Sequence, residues 1–257
     1  MSDRYEMTKY GPSGSSFSFG SYRANEGMEF WRSPLREGKF RVPVVYCHGA
    51  GGTTPTTREV YREDFASLNR LGHDVITADL GGLDTWGNVA SSGPGTNAVD
   101  QAITFANTTY NTRTDKVLLF ADSMGALVAL NWAWRNPTKI GAIALRAPVV
   151  ALQAFHERNE AFFGTSMHLG YGNHAGVISA YPTRDPQQNL ASILPFGARI
   201  RAWYCTTDEF IPPSEVTTFI TAVGGSLGTP IVGGHLNLAA CRSDETSIWL
   251  ARFGEMT

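Results

Sequence analysis

The stretch Lys116-Val-Leu-Leu-Phe-Ala-Asp-Ser-Met-Gly-Ala-Leu-Val-Ala-Leu130 decides how this chain reads. Val117 to Phe120 is a short, continuous apolar run, as expected of a strand covered on both faces. It stops at Ala121-Asp122-Ser123-Met124-Gly125, after which Ala126 to Ala133 reads as an apolar helix. A serine on a tight turn between a buried strand and a buried helix is pushed out of the sheet. The turn is strained, so the positions two before and two after the serine must be small, and here they are Ala121 and Gly125. Ser123 is therefore a candidate nucleophile. Its rival role is that of an ordinary helix N-cap.

Outward from this unit the same alternation continues. Val42-Pro43-Val44-Val45-Tyr46-Cys47 is a buried-strand run that ends at His48-Gly49-Ala50-Gly51-Gly52. Asp74 to Leu80 is another, followed by Gly81-Gly82, and Ile140 to Val150 and Ile200 to Cys205 are two more. Pro230-Ile231-Val232 is a last short strand running into Gly233-Gly234-His235. Helices are expected over 58–71, 97–110, 186–193, from Ser214 as N-cap, and over 243–253. Nearer the N-terminus, residues 1–16 read as an irregular lead-in. Ser16 to Tyr22 and Met28 to Arg32 alternate apolar and polar around Asn25-Glu26-Gly27, which predicts an antiparallel hairpin at a sheet edge. Strands alternating with helices predict an α/β fold: a mostly parallel sheet of about eight strands with helices on both faces, in a single domain over 1–257.

Residues 151–185 break this rhythm. They carry Phe155, His156, Phe162, Phe163, Met167, His168, Tyr171 and His174 with glycines and no clear period, as an insertion folding over something would. The expectation is a small lid. Its Phe155, Phe162, Phe163 and Met167, with Trp86 from the loop at 83–95, are candidates to line a substrate pocket, or to pack the insertion onto the domain. The irregular spacing of His156, His168 and His174 argues against a metal site, so no metal and no organic cofactor is expected.

Bulk properties narrow the partners. A chain of 257 residues with a net charge of −2 and no Lys/Arg block is a poor match for nucleic acid. No apolar run reaches membrane-spanning length, and the first residues show no secretory pattern, so the default expectation is a cytoplasmic protein without integral membrane association. An exported or phage-borne mature chain would read the same way. Monomer and homodimer are equally compatible. Three cysteines, Cys47, Cys205 and Cys241, lack metal-ligand spacing and read as buried thiols, with a Cys205–Cys241 bridge the disfavoured alternative.

In a parallel sheet, functional groups collect at the carboxyl ends of the strands. Ser123, Asp208 and His235 all meet that condition. A serine hydroxyl needs a base, an imidazole can take and return its proton, and a carboxylate can hold the imidazole's tautomer. Glu209 competes with Asp208 for the last role. His48 reads as shaping its turn, Asp79 and Asp84 as serving turns, and Asp122 as solvated or turn-bonded.

From about Phe17 onward the chain resembles the α/β-hydrolase family. The resemblance rests on Tyr46-Cys47-His48-Gly49-Ala50-Gly51-Gly52, Ala121-Asp122-Ser123-Met124-Gly125, Thr207-Asp208-Glu209-Phe210-Ile211-Pro212 and Gly233-Gly234-His235, in that order, and Gly72 to Leu80 is similar to the family's fourth strand. It implies a three-layer sandwich, Ser123 as nucleophile, Asp208 as acid and His235 as base. It also implies an oxyanion hole from the backbone N–H groups of Met124 and Ala50, with Gly51 as the alternative second donor. The departure is Ala121, where the family's elbow usually has glycine. The expected function is a serine hydrolase that cleaves small-molecule or lipid-like carboxylic esters through an acyl-enzyme. Thioesterase, amidase or other chemistry of the same fold is the alternative, and a ligand-binding receptor is the alternative outside enzymes.

Overall fold

The computed structural model describes residues 7–10, 28–31, 42–52, 63–78, 85–88, 98–235 and 244–254. Eight strands form one sheet: β1 (Met7–Tyr10), β2 (Met28–Trp31), β3 (Val44–Cys47), β4 (Val75–Thr77), β5 (Val117–Asp122), β6 (Ile140–Arg146), β7 (Ile200–Trp203) and β8 (Ser226–Leu227). Their order is β1-β2-β4-β3-β5-β6-β7-β8. The six strands from β3 to β8 are mutually parallel, whereas β1 and β2 run antiparallel at one edge.

Alternation along the central strands sends side chains to two separate cores. Val45, Cys47, Leu119, Ala121, Ile143 and Leu145 join one. Val44, Tyr46, Leu118, Phe120, Ala142 and Ala144 join the other. On the first face lie α2 (Ala98–Tyr110), α3 (Gly125–Arg135) and α7 (Pro213–Ala222). The second is covered by α1, described over 63–70 and contributing Phe65 and Leu68, and by α8 (Asp244–Gly254), contributing Trp249 and Leu250. Because both faces are covered, these strands read as continuous apolar runs in the sequence.

The chain leaves β3 for β4 on one side, then crosses back over β3 to reach β5. The carboxyl ends of β3 and β5 therefore flank the point where strand order reverses, the usual crevice of an open parallel sheet. Ser123 follows β5 at that point.

Several elements differ from the sequence expectation. The antiparallel partner of Met28–Trp31 is Met7–Tyr10, from the segment read as an irregular lead-in; the strand expected at 16–22 lies outside the described residues. The eighth strand is Ser226–Leu227, while Ile231 makes only an isolated bridge to Cys205, since Gly233 at φ 126° turns the chain away two residues later. Helix α7 starts at Pro213 and not from Ser214 as cap, because proline's fixed φ suits the first helical position. Residues 186–193 divide into a 3-10 turn (Pro186–Gln188) and α6 (Leu190–Ile193). The aperiodic 151–185 is two helices, α4 (Leu152–Gly170) and α5 (His174–Arg184). A kink at Asn159 (φ −116°, ψ 16°) breaks the period of α4, which is what hid it.

Gly125 is fixed by the packing of α3 on β3. A Cβ there would lie 2.1 Å from the Cys47 carbonyl oxygen and 2.7 Å from that of His48. Both obstacles are backbone, so Gly125→Ala should lower the unfolding free energy by about 1–3 kcal/mol, the range for overpacking, measured by urea denaturation against the unmodified chain.

Candidate active site

Ser123 stands at φ +50°, a left-handed conformation that non-glycine residues adopt rarely and at some cost. Its peptide is held on both sides. The N–H donates to the Arg146 carbonyl at 3.0 Å, and its C=O accepts from Ala126 and Val149, both at 3.1 Å. The N-cap of α3 is Met124, without a side-chain cap bond. The Ser123 hydroxyl instead lies 2.8 Å from His235 Nε2.

Asp208 and His235 meet because the chain beyond β7 keeps pairing with the segment beyond β8. Ile231 N–H donates to Tyr204, Thr206 N–H to Ile231 and Thr207 N–H to Gly233. Asp208 Oδ2 then lies 2.8 Å from His235 Nδ1. Its Oδ1 accepts from the N–H groups of Phe210 at 2.9 Å and Ile211 at 2.8 Å, so both carboxylate oxygens are committed. Glu209, the competitor, instead holds the backbone of His235, its Oε2 accepting the His235 N–H at 2.7 Å. A Cβ on Gly234 would come within 2.5 Å of that oxygen, so glycine is required there for the contact. The side chains of Asp208 and His235 are 2% and 8% exposed, dry enough for the pair to keep its strength.

The turn after β3 lies against the elbow. Gly52 N–H closes it on Gly49 C=O at 3.0 Å with Gly51 at φ +74°, and a Cβ on Gly49 would sit 3.2 Å from Ser123 Cβ. The backbone N–H groups of Ala50 and Met124 donate to none of the described residues. His48 packs inside the turn, its Nδ1 2.8 Å from Gly49 O. Burial pushes the Cys47 thiol up to about 12, as for an inert buried thiol.

Beneath the elbow lies a buried polar network that the sequence did not announce. Asp122 is neither solvated nor turn-bonded. It takes a bidentate pair from Arg146, Nε to Oδ1 and Nη2 to Oδ2, each 2.9 Å, and Tyr46 Oη donates to Oδ2 at 2.7 Å. Arg146 Nη1 also reaches Asp64 at 3.2 Å, and its guanidinium stacks 4.5 Å from the Phe120 ring centre. The only signal for this was a charged residue at the end of each of two otherwise apolar strands.

The aromatic candidates separate. Trp86, Phe155 and Phe163 form a triangle with ring centres 5.3–5.5 Å apart. Phe163 continues to Phe210 at 5.2 Å, and Phe210 meets the His235 ring edge-on at 5.5 Å. Phe210, absent from the sequence candidates, thus joins the row to the site. Phe162 is 72% exposed and touches the row from outside, while Met167, Trp86 and Phe155 are all buried in the core and pack the insertion onto the domain. Trp86 is held to α4, with Nε1 donating to Ser166 at 3.0 Å and its carbonyl accepting from Tyr171. Asp79, Asp84 and Cys241 lie outside the described residues.

Comparison with known proteins gives the family and the fold. The sequence profile of the family described as serine aminopeptidase, S33, matches residues 38–190. The chain belongs to this family. It is an α/β-hydrolase of the serine hydrolase type. A comparison with curated proteins gives no sequence match. Among solved structures, this hydrolase is similar to an S-formylglutathione hydrolase from Agrobacterium tumefaciens, with TM-score 0.71 and 14% identity, covering 95% of this chain and 94% of that one. It is also similar to FphF, a fluorophosphonate-binding serine hydrolase of Staphylococcus aureus, with TM-score 0.70 and 11% identity over 96% and 98% of the two chains. The Pyrococcus furiosus esterase Pf2001 superimposes with TM-score 0.59 and 14% identity, over 97% and 92%. At these identities the likeness is one of fold. No helix among the described residues is long and apolar enough to cross a membrane.

The buried network gives a stability prediction. Asp122→Ala leaves a guanidinium that is 1% exposed short of its bidentate partner. The loss expected in urea denaturation is about 3–5 kcal/mol, the range for breaking one side of a buried pair.

Proposed function

We propose that this hydrolase cleaves carboxylic esters through an acyl-enzyme on Ser123. The observation that carries the reading is the continuous relay from Ser123 Oγ through His235 to Asp208, both steps at 2.8 Å. In this reading His235 takes the hydroxyl proton as Ser123 attacks the ester carbonyl, and Asp208 holds the Nδ1–H tautomer and stabilises the imidazolium. The N–H groups of Met124 and Ala50 hold the oxyanion. The leaving alcohol receives the proton from His235, and a water activated by the same imidazole releases the acid. No metal or cofactor takes part. The partly exposed rings of Phe163 and Phe210, backed by the buried Trp86 and Phe155, support an apolar acyl group beside the nucleophile, and α4 with α5 serves as the small lid over it.

The family's description as serine aminopeptidase favours one competing substrate class, an amide with a free amino terminus. Paired substrates distinguish them: nitrophenyl esters of increasing acyl length against aminoacyl nitroanilides. Faster turnover of esters, with an optimum in acyl length, is expected; preference for the anilides overturns the ester assignment.

Two further outcomes test the machinery. A fluorophosphonate probe should label the unmodified chain and not Ser123→Ala, which should also lose at least about 10³-fold in kcat; undiminished labelling of the variant removes Ser123 from the role. Because the base works only unprotonated, kcat/KM should fall toward acid pH. A flat profile from about pH 5 to 9 is incompatible with His235 as base.

A further inference from the structure

His156, Glu160, Gly164 and His168 follow one another at intervals of four along α4. Beyond the kink at Asn159 that spacing stacks Glu160, Gly164 and His168 on one helical face, with each side chain leaning toward the helix N-terminus, and His156 sits on the limb before the kink. Gly164 is the missing side chain in the stripe. Its built Cβ would meet Glu160 Cγ at 3.0 Å and His168 Cε1 at 3.7 Å, so the gap is where the His168 ring folds back to reach Glu160. The first residue of α5, His174, closes the group from the neighbouring helix.

Four donor atoms converge. His168 Nε2 lies 3.4 Å from His156 Nε2 and 3.1 Å from His174 Nδ1. Glu160 Oε1 lies 3.0 Å from His174 Nδ1, 3.8 Å from His168 Nε2 and 4.0 Å from His156 Nε2. All four atoms fall within 4.8 Å of one another. A tetrahedral zinc site with Zn–N and Zn–O bonds of about 2.0–2.2 Å sets its ligand atoms roughly 3.3–3.6 Å apart, within the range of the distances seen.

The surroundings match as well. His156 is 2% exposed, and its other ring nitrogen, Nδ1, meets the buried Tyr181 hydroxyl at 2.5 Å. With Nδ1 donating to that oxygen, the Nε2 lone pair faces the cluster; such an outer partner is the usual companion of a metal-binding imidazole.

We infer that His156, Glu160, His168 and His174 form a binding site for a divalent transition metal, zinc by its donor set, which ties α5 to both limbs of the kinked α4. Three imidazoles and one carboxylate favour zinc over the oxygen-seeking Mg²⁺ and Ca²⁺. The neighbour of His156 in sequence is Phe155, so the ion would also steady one ring of the aromatic row.

The test uses the full chain without a polyhistidine tag, stripped by chelator and dialysed. Titration with ZnCl₂ against a chromophoric competitor should show one tight equivalent, with a rise in Tm, and excess Mg²⁺ or Ca²⁺ should not displace it. The double variant His168→Ala/His174→Ala alters two partly exposed rings and should bind no zinc at concentrations that saturate the unmodified chain. Tyr181→Phe should bind about 10–100-fold more weakly. Independently of any variant, Co²⁺ added to the unmodified chain should give the intense visible absorption of four-coordinate cobalt. Absence of a tight equivalent, zinc binding unchanged in the double variant, or the pale spectrum of six-coordinate cobalt would each overturn the site. Ser123→Ala should bind zinc like the unmodified chain, so the result stands apart from the proposed ester chemistry.

Discussion

The geometry of the elbow depends on the pair between Asp122 and Arg146. The two residues are register partners at the ends of adjacent strands, and their bidentate contact ties β5 to β6 at the place where the chain must turn sharply. A left-handed non-glycine residue costs on the order of 1–3 kcal/mol and persists only if its neighbours over-determine it. Here Ser123 receives that restraint from Arg146 twice, through the side chain that holds Asp122 and through the carbonyl that accepts the Ser123 N–H. Burying such a pair is close to neutral in net stability, because desolvation offsets attraction. Its effect is to fix one arrangement, and that arrangement projects the serine toward His235.

Positioning on the other side of the relay is cheaper. Backbone hydrogen bonds from 204–207 to 231–233 join the chain after β7 to the segment after β8, supplemented by Glu209 on the His235 N–H, by the Asp208–His235 pair itself and by Glu245, which holds both Arg201 and the Thr229 N–H. The difference follows from what each residue must do. A serine in a strained turn must be forced into place, whereas Asp208 uses its own carboxylate to close its loop on Phe210 and Ile211, and the other oxygen then orients the imidazole.

What was legible in the sequence follows the range of the forces. The parallel strands were readable because two-sided burial demands continuous apolar runs, and the elbow because close approach demands small residues at fixed offsets, as Gly125 against the Cys47 carbonyl illustrates. Illegible were features that depend on which distant residues meet. Asp64 and Asp122 converge on Arg146 from different elements, and no local pattern marks that. The interval of four from His156 through Glu160 to His168 is present in the sequence, but Gly164 leaves a gap in it and His174 joins from α5, so only the fold brings the four together. The edge strand Met7–Tyr10 is four residues long and pairs with a partner about 20 residues on, too short for alternation to declare itself.

Phe210 connects the parts that the sequence left separate. It follows Asp208 by two residues, donates its N–H to that carboxylate, and presents its ring both to Phe163 of α4 and to the edge of His235. Its carbonyl accepts from Arg158 and Asn159 at the kink. A shift of α4 therefore cannot leave the imidazole's surroundings unchanged, since one loop carries the Asp208 carboxylate that meets His235, the Phe210 ring against it and the anchor of the kinked helix. Under the proposed chemistry, the part of the chain that selects the acyl group and the part that sets the base are mechanically one. An acyl chain seated against the partly exposed rings of Phe163 and Phe210 would press on both, so its fit would register at His235 directly, without a separate signal passing through the sheet.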